Sequence, residues 1–395
     1  PDGKRFLYMT LAGTTPGIYL ASLSGGSPVR LTPDTSSFAY LPSGWLIWSR
    51  SGTLVTQRLD LSKPALTGTQ VTLAERAFDV STSFTGLIAY RQTYESTQQF
   101  AWRDRGGALL GIVGNPGERY GLPASSPDGR RVAGARSLRG QGDGIWLIDG
   151  TRESRITFED KGAAFPVWSA DGKRLAYVSI APGVYDFFIT SASGAEAPLK
   201  VLASPQPKFP SDWSSDGRFL LYFTADPKTK GDLWALPVSG EGKPVPLLET
   251  QYFEVWPRLS PDGRWLAYHS DESGRGEVYV RPFVVSGDKP SLGSGRWQIS
   301  NTGGIFPTWR GDSKELYFIG PAGEIMAAAI DSEGSVLKPG SPVKLFDSQI
   351  VGGGTDTAAG RQYDVTRDGR FLINEATGSA APPITLLQNW VPPKQ

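Results

Sequence analysis

Apolar positions along the chain cluster in runs of five to seven residues rich in Val, Ile, Leu, Tyr, Phe and Trp, cut by Gly, Pro and Ser. No amphipathic helix of ordinary length interrupts them. Such runs predict strands. One stretch shows the pattern directly: Arg218 to Phe223, Asp232 to Val238 and Val245 to Leu248 are three apolar runs separated by polar or Gly-rich residues. Alternation between an apolar and a polar face is weak, which suits strands covered on both faces rather than half-exposed ones.

The runs belong to a repeat. An aromatic residue or Leu, then Pro, a short apolar stretch, a small polar residue, Asp-Gly and a basic-apolar run recur as Phe165-Pro-Val-Trp168-Ser-Ala-Asp171-Gly172 and Trp256-Pro-Arg-Leu-Ser-Pro-Asp262-Gly263. Further copies run over 122–133, 209–222 and 306–317, the last with Asp312-Ser313 in place of Asp-Gly. Weaker ones pivot on Asp2-Gly3, Ser43-Gly44, Thr85-Gly86 and Asp368-Gly369. The nine pivots, at 2, 43, 85, 128, 171, 216, 262, 312 and 368, are spaced by intervals that grow from 41 to 56 residues. A period of roughly 40–45 residues is that of a four-stranded propeller blade. The expectation is therefore an all-β chain, a β-propeller of nine four-stranded antiparallel repeat units. Pro, Asp and Gly at each pivot suit a hairpin turn: Pro presets the first turn position, Asp bonds back to the backbone and Gly takes the left-handed region. That gives Asp128, Gly129, Asp171, Gly172, Asp216, Gly217, Asp262, Gly263, Asp368 and Gly369 a structural role. Their aspartates also admit a metal-binding reading, but each belongs to a different blade. Trp168, Trp213 and Trp309 each precede the pivot Asp by three residues, a repetition that predicts interblade packing over a ligand-stacking ring.

Composition narrows the chemistry. The 395 residues contain no Cys and a single His, His269, which excludes disulfides, thiolate metal sites and any reaction needing two imidazoles. Lys and Arg number 40 against 39 Asp and Glu, and no basic run exceeds two residues, so nothing drives the chain toward nucleic acid. No apolar stretch is long enough for a membrane helix. His269 lies near Asp271 and Glu272, but no Gly-x-Ser-x-Gly elbow accompanies it, and the reading is structural. The Gly140-x-Gly142-x-Gly144 run lacks dinucleotide spacing and reads as a loop. No cofactor is expected.

The repeat resembles that of TolB-type propellers, over six successive units in 107–395 and more loosely in 1–106. Asp226 to Pro237, Ser260 to Phe283, Trp297-Gln-Ile-Ser300, Gly304 to Trp309 and Pro383 to Trp390 together resemble the C-terminal propeller region of eukaryotic-like bacterial serine/threonine protein kinases. That resemblance implies an extracytoplasmic module tethered through a membrane helix upstream, binding a protein, peptide or small-molecule ligand. Kinase catalysis is not implied, because the Gly-rich loop, His-Arg-Asp and Asp-Phe-Gly phrases are absent. Pro1 stands inside a Pro-Asp-Gly turn, so the chain reads as a fragment.

The last unit supplies strands near 362–366, 370–374 and 384–390 and stops one short, while 108–113 is a spare strand. Adding the spare strand closes a six-bladed ring over 107–395 and leaves 1–106 as three blades of a second propeller, the first strand of which is missing. A single ring of eight or nine blades is the alternative. The first strand of each blade lines the channel, which makes Asp212, Glu254, Arg258, Arg310 and Asp364 the candidate channel and ligand residues, with mutual salt bridges as the structural reading. Asp212 stands in a phrase one residue longer than its counterparts, which predicts a bulge aimed at a ligand or at Arg258. Three function classes follow: a non-catalytic binding or sensor module, free in the periplasm or tethered; the propeller of a hydrolase or peptidase whose catalytic domain lies elsewhere; and a lyase or glycosidase using Asp212 and Glu254.

Overall fold

A computed structural model describes residues 3–10, 15–92, 98–115, 120–138, 142–158, 162–181, 183–226, 228–238, 242–353, 360–377 and 384–391. Asp2 and Gly140 lie outside the described residues. Among those described, every regular element is a strand, and the strands form nine antiparallel sheets. The chain divides into two compact units, residues 97–377 and residues 1–96 with 378–395.

The unit 97–377 holds six sheets. Five are continuous in sequence and start with Tyr120–Ser125, Gly162–Trp168, Lys208–Trp213, Val255–Leu259 and Ile305–Trp309. The third shows the pattern: Lys208–Trp213, Phe219–Asp226, Lys230–Pro237 and Val245–Leu248 in consecutive order. The sixth is composite: Tyr363–Val365 and Phe371–Ala376 are completed by Gln98–Arg103 and Leu109–Val113. The first strand of each sheet lies against that of the next, and the sixth against the first, so the six follow one another in a closed cycle. The apolar runs fill the spaces between sheets. Phe219, Leu221, Tyr268, Tyr317 and Phe371 are all buried in one core cluster.

The closure departs from the sequence reading in one strand. Leu109–Val113 is the outer strand of the sixth sheet, but Gln98–Arg103 stands between it and Phe371–Ala376. The Ile384–Leu387 strand, read as part of this blade, instead pairs with Ile88–Gln92 in the other unit. The hairpin explains this: Asp104 Oδ1 accepts Gly106 N (2.9 Å) and Ala108 N (2.8 Å), which folds 109–113 back onto 98–103. Arg103 then grips Glu375 with Nε and Nη2 at 2.8 and 2.9 Å, and Arg105 forks onto Glu315 of the fifth sheet at 2.6 Å twice.

The unit 1–96 with 378–395 has three sheets: Arg5–Thr10 with Gly17–Ser22 and Val29–Thr32; Phe38–Leu41 through Ala65–Glu75; and Ala77–Thr82 with Ile88–Gln92 and Ile384–Leu387. Trp45, Ile47, Leu54 and Ile88 are buried there, and Trp390 meets Trp45 edge-on at 5.4 Å.

The pivots are hairpin turns. Gly263 N donates to Ser260 O (2.8 Å), Ser260 Oγ donates to Asp262 Oδ1 (2.5 Å), and that oxygen accepts Arg264 N (3.2 Å). Gly263 sits at φ 74°. The same set recurs around Asp128, Asp171 and Asp216; around Asp368 Thr366 is the hydroxyl, and Arg370 N donates to Thr366 Oγ1 (3.1 Å). In the fifth sheet Ser313 is forced to φ 62°. The indoles lie between sheets: Trp168 Nε1 donates to Ala124 O of the preceding sheet (3.0 Å), Trp309 Nε1 to Arg258 O (3.1 Å), and Arg174 of the second sheet covers Trp213 at 5.0 Å. Gly142 and Gly144, read as loop, begin the strand Gly142–Asp149. There the missing Cβ of Gly144 leaves room for the Arg155 guanidinium, whose Nε a Cβ would meet at 2.8 Å.

Candidate functional site

The first strands carry a recurring defect. Leu122, Phe165, Trp256 and Phe306, each followed by Pro, adopt φ of 55–59°, and each strand slips one residue of register there against its neighbour. A left-handed residue before proline is doubly disfavoured and persists only where packing holds it. Here the packing is visible. Phe165 contacts Phe209 at 5.0 Å and Trp256 at 5.9 Å, and Trp256 contacts Phe306 at 5.0 Å. These rings, with Leu122, form an apolar plug across the axis of the 97–377 unit. In the third sheet the slip falls between Pro210 and Asp212. The extra residue is thus Ser211, and Asp212 stands in line with its counterparts.

Counting four residues back from each pivot gives Ala124, Val167, Asp212, Arg258, Thr308 and Asp364, one from each sheet. Three of the six are charged, and they meet. Arg258 Nη2 donates to Asp364 Oδ1 at 2.6 Å, and Arg258 Nη1 lies 3.4 Å from Asp212 Oδ1. The remaining oxygens are occupied too: Asp212 Oδ2 accepts Leu259 N at 2.7 Å, and Asp364 Oδ2 accepts Ser125 N and Oγ at 2.8 and 3.0 Å. Burial pushes the Asp212 carboxyl above its ordinary value despite Arg258 beside it. Burial pulls Arg258 down, but Asp212 and Asp364 more than offset this and hold its pKa above the usual arginine value.

Arg310 and Glu254 are not part of this group. Arg310 turns back to its own hairpin, with Nη2 2.7 Å from Asp312 Oδ2 and Nη1 3.0 Å from Glu315 Oε2, because the pivot Asp lies two residues on. Glu254 precedes the first strand of the fourth sheet. It is buried beside Asp232, Asp271 and Glu272, with Oε1 accepting Thr250 Oγ1 at 2.6 Å and Oε2 unpartnered. Burial and those carboxylates push it up to about 7, against the pull of the Thr250 hydrogen bond. His269 is buried nearby, with Phe253 edge-on at 6.1 Å and no hydrogen bond to either ring nitrogen. Burial lowers its pKa to about 4. Asp271 is engaged by Phe253 N (2.8 Å) and Lys230 (3.2 Å), so no His–Asp relay exists.

The residue the sequence reading passed over is Arg361. It is only 9% exposed, and its Nε and Nη1 are buried without a hydrogen-bond partner. Burial and the like charge of Arg258 lower its pKa to about 10. The signal was in the repeat: where four other units place Leu122-Pro, Phe165-Pro, Trp256-Pro and Phe306-Pro six and five residues before the pivot, the last has Gln362-Tyr363 there, with Arg361 just before them and no Pro.

Between the charged residues and the pivot turns lies a cavity of about 400 Å³, lined by all six first strands and including Asp212, Arg258, Arg361 and Asp364. A void of about 20 Å³ beneath it is shared by Arg361, Ser211 and the plug residues Leu122, Phe165 and Trp256. The channel is thus open and polar at the turn side and closed by aromatic rings beyond Arg361. No group of three or more His, Asp or Glu side chains among the described residues is arranged to hold a metal.

No protein-family model matches the chain. Among solved structures, a TolB from Agrobacterium tumefaciens superposes with a TM-score of 0.55 at 17% identity, covering 71% of this chain and 99% of that one. The fold is that of a TolB-type β-propeller. The TolB of Acinetobacter baumannii shares 13% identity over 86% of this chain and 79% of its own, with a TM-score of 0.38. Dipeptidyl-peptidase 5 of Trichophyton schoenleinii and that of Arthroderma benhamiae are 36% identical over 87 residues. That match takes in 20% of this chain and 12% of those relatives, so the chain spans only a small part of their length.

Proposed function

We propose that this chain is a non-catalytic ligand-binding propeller, the extracytoplasmic sensor region of a receptor-like bacterial serine/threonine kinase, with the turn-side cavity of residues 97–377 as its binding site. The observation that carries the binding reading is the cavity itself. It opens on the turn side, has an aromatic floor, and holds Asp212 and Asp364 already engaged by Arg258, Ser125 and backbone N–H donors. Carboxylates so occupied are poorly placed to act as acid, base or nucleophile, whereas a concave site with a few converging polar groups suits recognition. The kinase link and the location outside the cytoplasm rest on the resemblance of Ser260 to Phe283 and the accompanying phrases. In this reading residues 97–377 form a self-contained ring.

A second reading draws on the 87-residue match: the propeller of a peptidase whose catalytic domain lies outside this sequence. Two measurements separate the readings. Screening metabolites and short peptides by native mass spectrometry against the wild type and Ala170→Trp, a substitution at the half-buried rim of the cavity, should yield a ligand that the variant loses and that is recovered chemically unchanged. Turnover of the ligand, or equal binding to the variant, would refute the site. The reading frame upstream should encode a kinase domain and one membrane helix, and an α/β-hydrolase domain in the same polypeptide would favour the peptidase reading.

A further inference from the structure

We propose that the cavity takes a small organic monocarboxylate, held by Arg361. This deepens the preceding reading and rests on it. A guanidinium that is nine-tenths buried and forms no hydrogen bond through Nε or Nη1 is costly unless something pairs with it. Asp212 and Asp364 are each engaged elsewhere, Asp212 by Arg258 and Leu259 N and Asp364 by Arg258 and Ser125, and neither is the partner of Arg361 Nε or Nη1. Arg361 lines the cavity directly, so its missing partner can arrive from the open mouth. Ser211 Oγ, also buried and unpartnered, borders the small void on the plug side of Arg361.

The charge balance restricts the partner. Arg258, Arg361 and Arg367 against Asp212 and Asp364 leave the lining one formal positive charge, so the channel tolerates one added negative charge far better than two. A carboxylate offers two acceptor oxygens for one charge and pairs well with a guanidinium. A phosphate dianion would face Asp212 and Asp364 across a narrow channel. The walls bear on the rest of the molecule: Pro127, Pro261, Trp168 and Trp309 border the same cavity, and its volume of about 400 Å³ suits a compact body with apolar surface.

The test uses benzoate, its neutral isostere benzamide and inorganic phosphate, titrated calorimetrically against the wild-type chain, Arg361→Met and Arg361→Lys. Wild type should bind benzoate at least about tenfold more tightly than benzamide or phosphate. Arg361→Met should lose that preference, and Arg361→Lys should keep part of it. Thermal melts of each variant without ligand establish that it is folded. If Arg361→Met fails to fold, the lysine variant and the benzoate-to-benzamide ratio of the wild type decide alone. No benzoate binding to the wild type, equal binding of benzamide, tighter binding of phosphate, or a benzoate preference that survives in Arg361→Met would each overturn the assignment. Equal benzamide binding that Ala170→Trp abolishes would sink the carboxylate and leave the ligand cavity standing. Binding of all three probes that Ala170→Trp leaves untouched would sink both.

Discussion

Glu254→Gln should make the fold more stable at neutral and alkaline pH, and the gain should vanish in acid. Glu254 is buried, with Asp232, Asp271 and Glu272 around it, and these raise its pKa from 4.5 to about 7. A carboxyl with a raised folded pKa binds its proton more tightly in the native state than in the unfolded one. Its contribution is therefore fully present below pH 4.5 and is lost as pH rises from there to about 7. A shift of that size corresponds to about 3 kcal/mol at most, and partial relaxation of the site brings the expected gain for Glu254→Gln to about 1–3 kcal/mol at pH 8. Glutamine retains an acceptor for Thr250 Oγ1, which now lies 2.6 Å from Glu254 Oε1, and brings an amide donor toward the neighbouring carboxylates. His269 works in the opposite sense. With a folded pKa of about 4 against 6.5, it contributes stability above pH 6.5 that is lost as pH falls toward 4. Between about pH 4.5 and 6.5 the two slopes nearly cancel in the wild type. The variant should expose the histidine slope alone. Urea unfolding of wild type and Glu254→Gln from pH 4 to pH 8, following the transition of residues 97–377, checks this. A difference that is constant across that range, or that grows toward acid, would refute the assignment of a protonated Glu254.

Two further perturbations follow from the same geometry. Arg258→Ala leaves Asp212 and Asp364 buried without their cation and should destabilise the unit by about 3–5 kcal/mol, whereas Arg258→Met with Asp212→Asn, which leaves Asp364 to offset Arg361, should recover part of that loss; thermal melts of the two variants decide it. A chain of residues 107–395 lacks Gln98–Arg103 and the Arg103–Glu375 and Arg105–Glu315 pairs, so it should unfold well below a chain of residues 97–377 in calorimetry, and equal melting would show that the third strand of the sixth sheet is dispensable.

What was legible in the sequence is what repetition makes redundant. Each pivot turn carries its own instructions in four residues, so the hairpins around Asp171 and Asp262 could be read without reference to any other part of the chain. Strand runs such as 219–226 were legible for the same reason. The identity of the strand that completes the sixth sheet was not, because Gln98–Arg103 and Ile384–Leu387 are equally good strands locally. The choice is made by Glu375 and Glu315, far away in sequence, which receive Arg103 and Arg105. The channel was half legible. Asp212, Arg258 and Asp364 fall at one repeat position and do meet, while Arg310, one residue after the indole, and Glu254, before its strand begins, face different neighbours.

Arg361 was missed because attention to a repeat favours what recurs, whereas a site is made where recurrence fails. In four sheets an aromatic or Leu before Pro is bent into the left-handed region and drives an apolar side chain onto the axis. The third sheet keeps Phe209 and shifts its bulge to Ser211. The sixth alone places an arginine near that level, followed by a first strand in regular register at Tyr363, Asp364 and Val365. A sixth apolar group there would extend the plug and dispense with a buried unpaired cation. The unit instead retains a charge that its own carboxylates leave unbonded, at the one level of the channel where the polar cavity meets the aromatic floor. A residue kept at that cost to folding is most simply understood through what it holds.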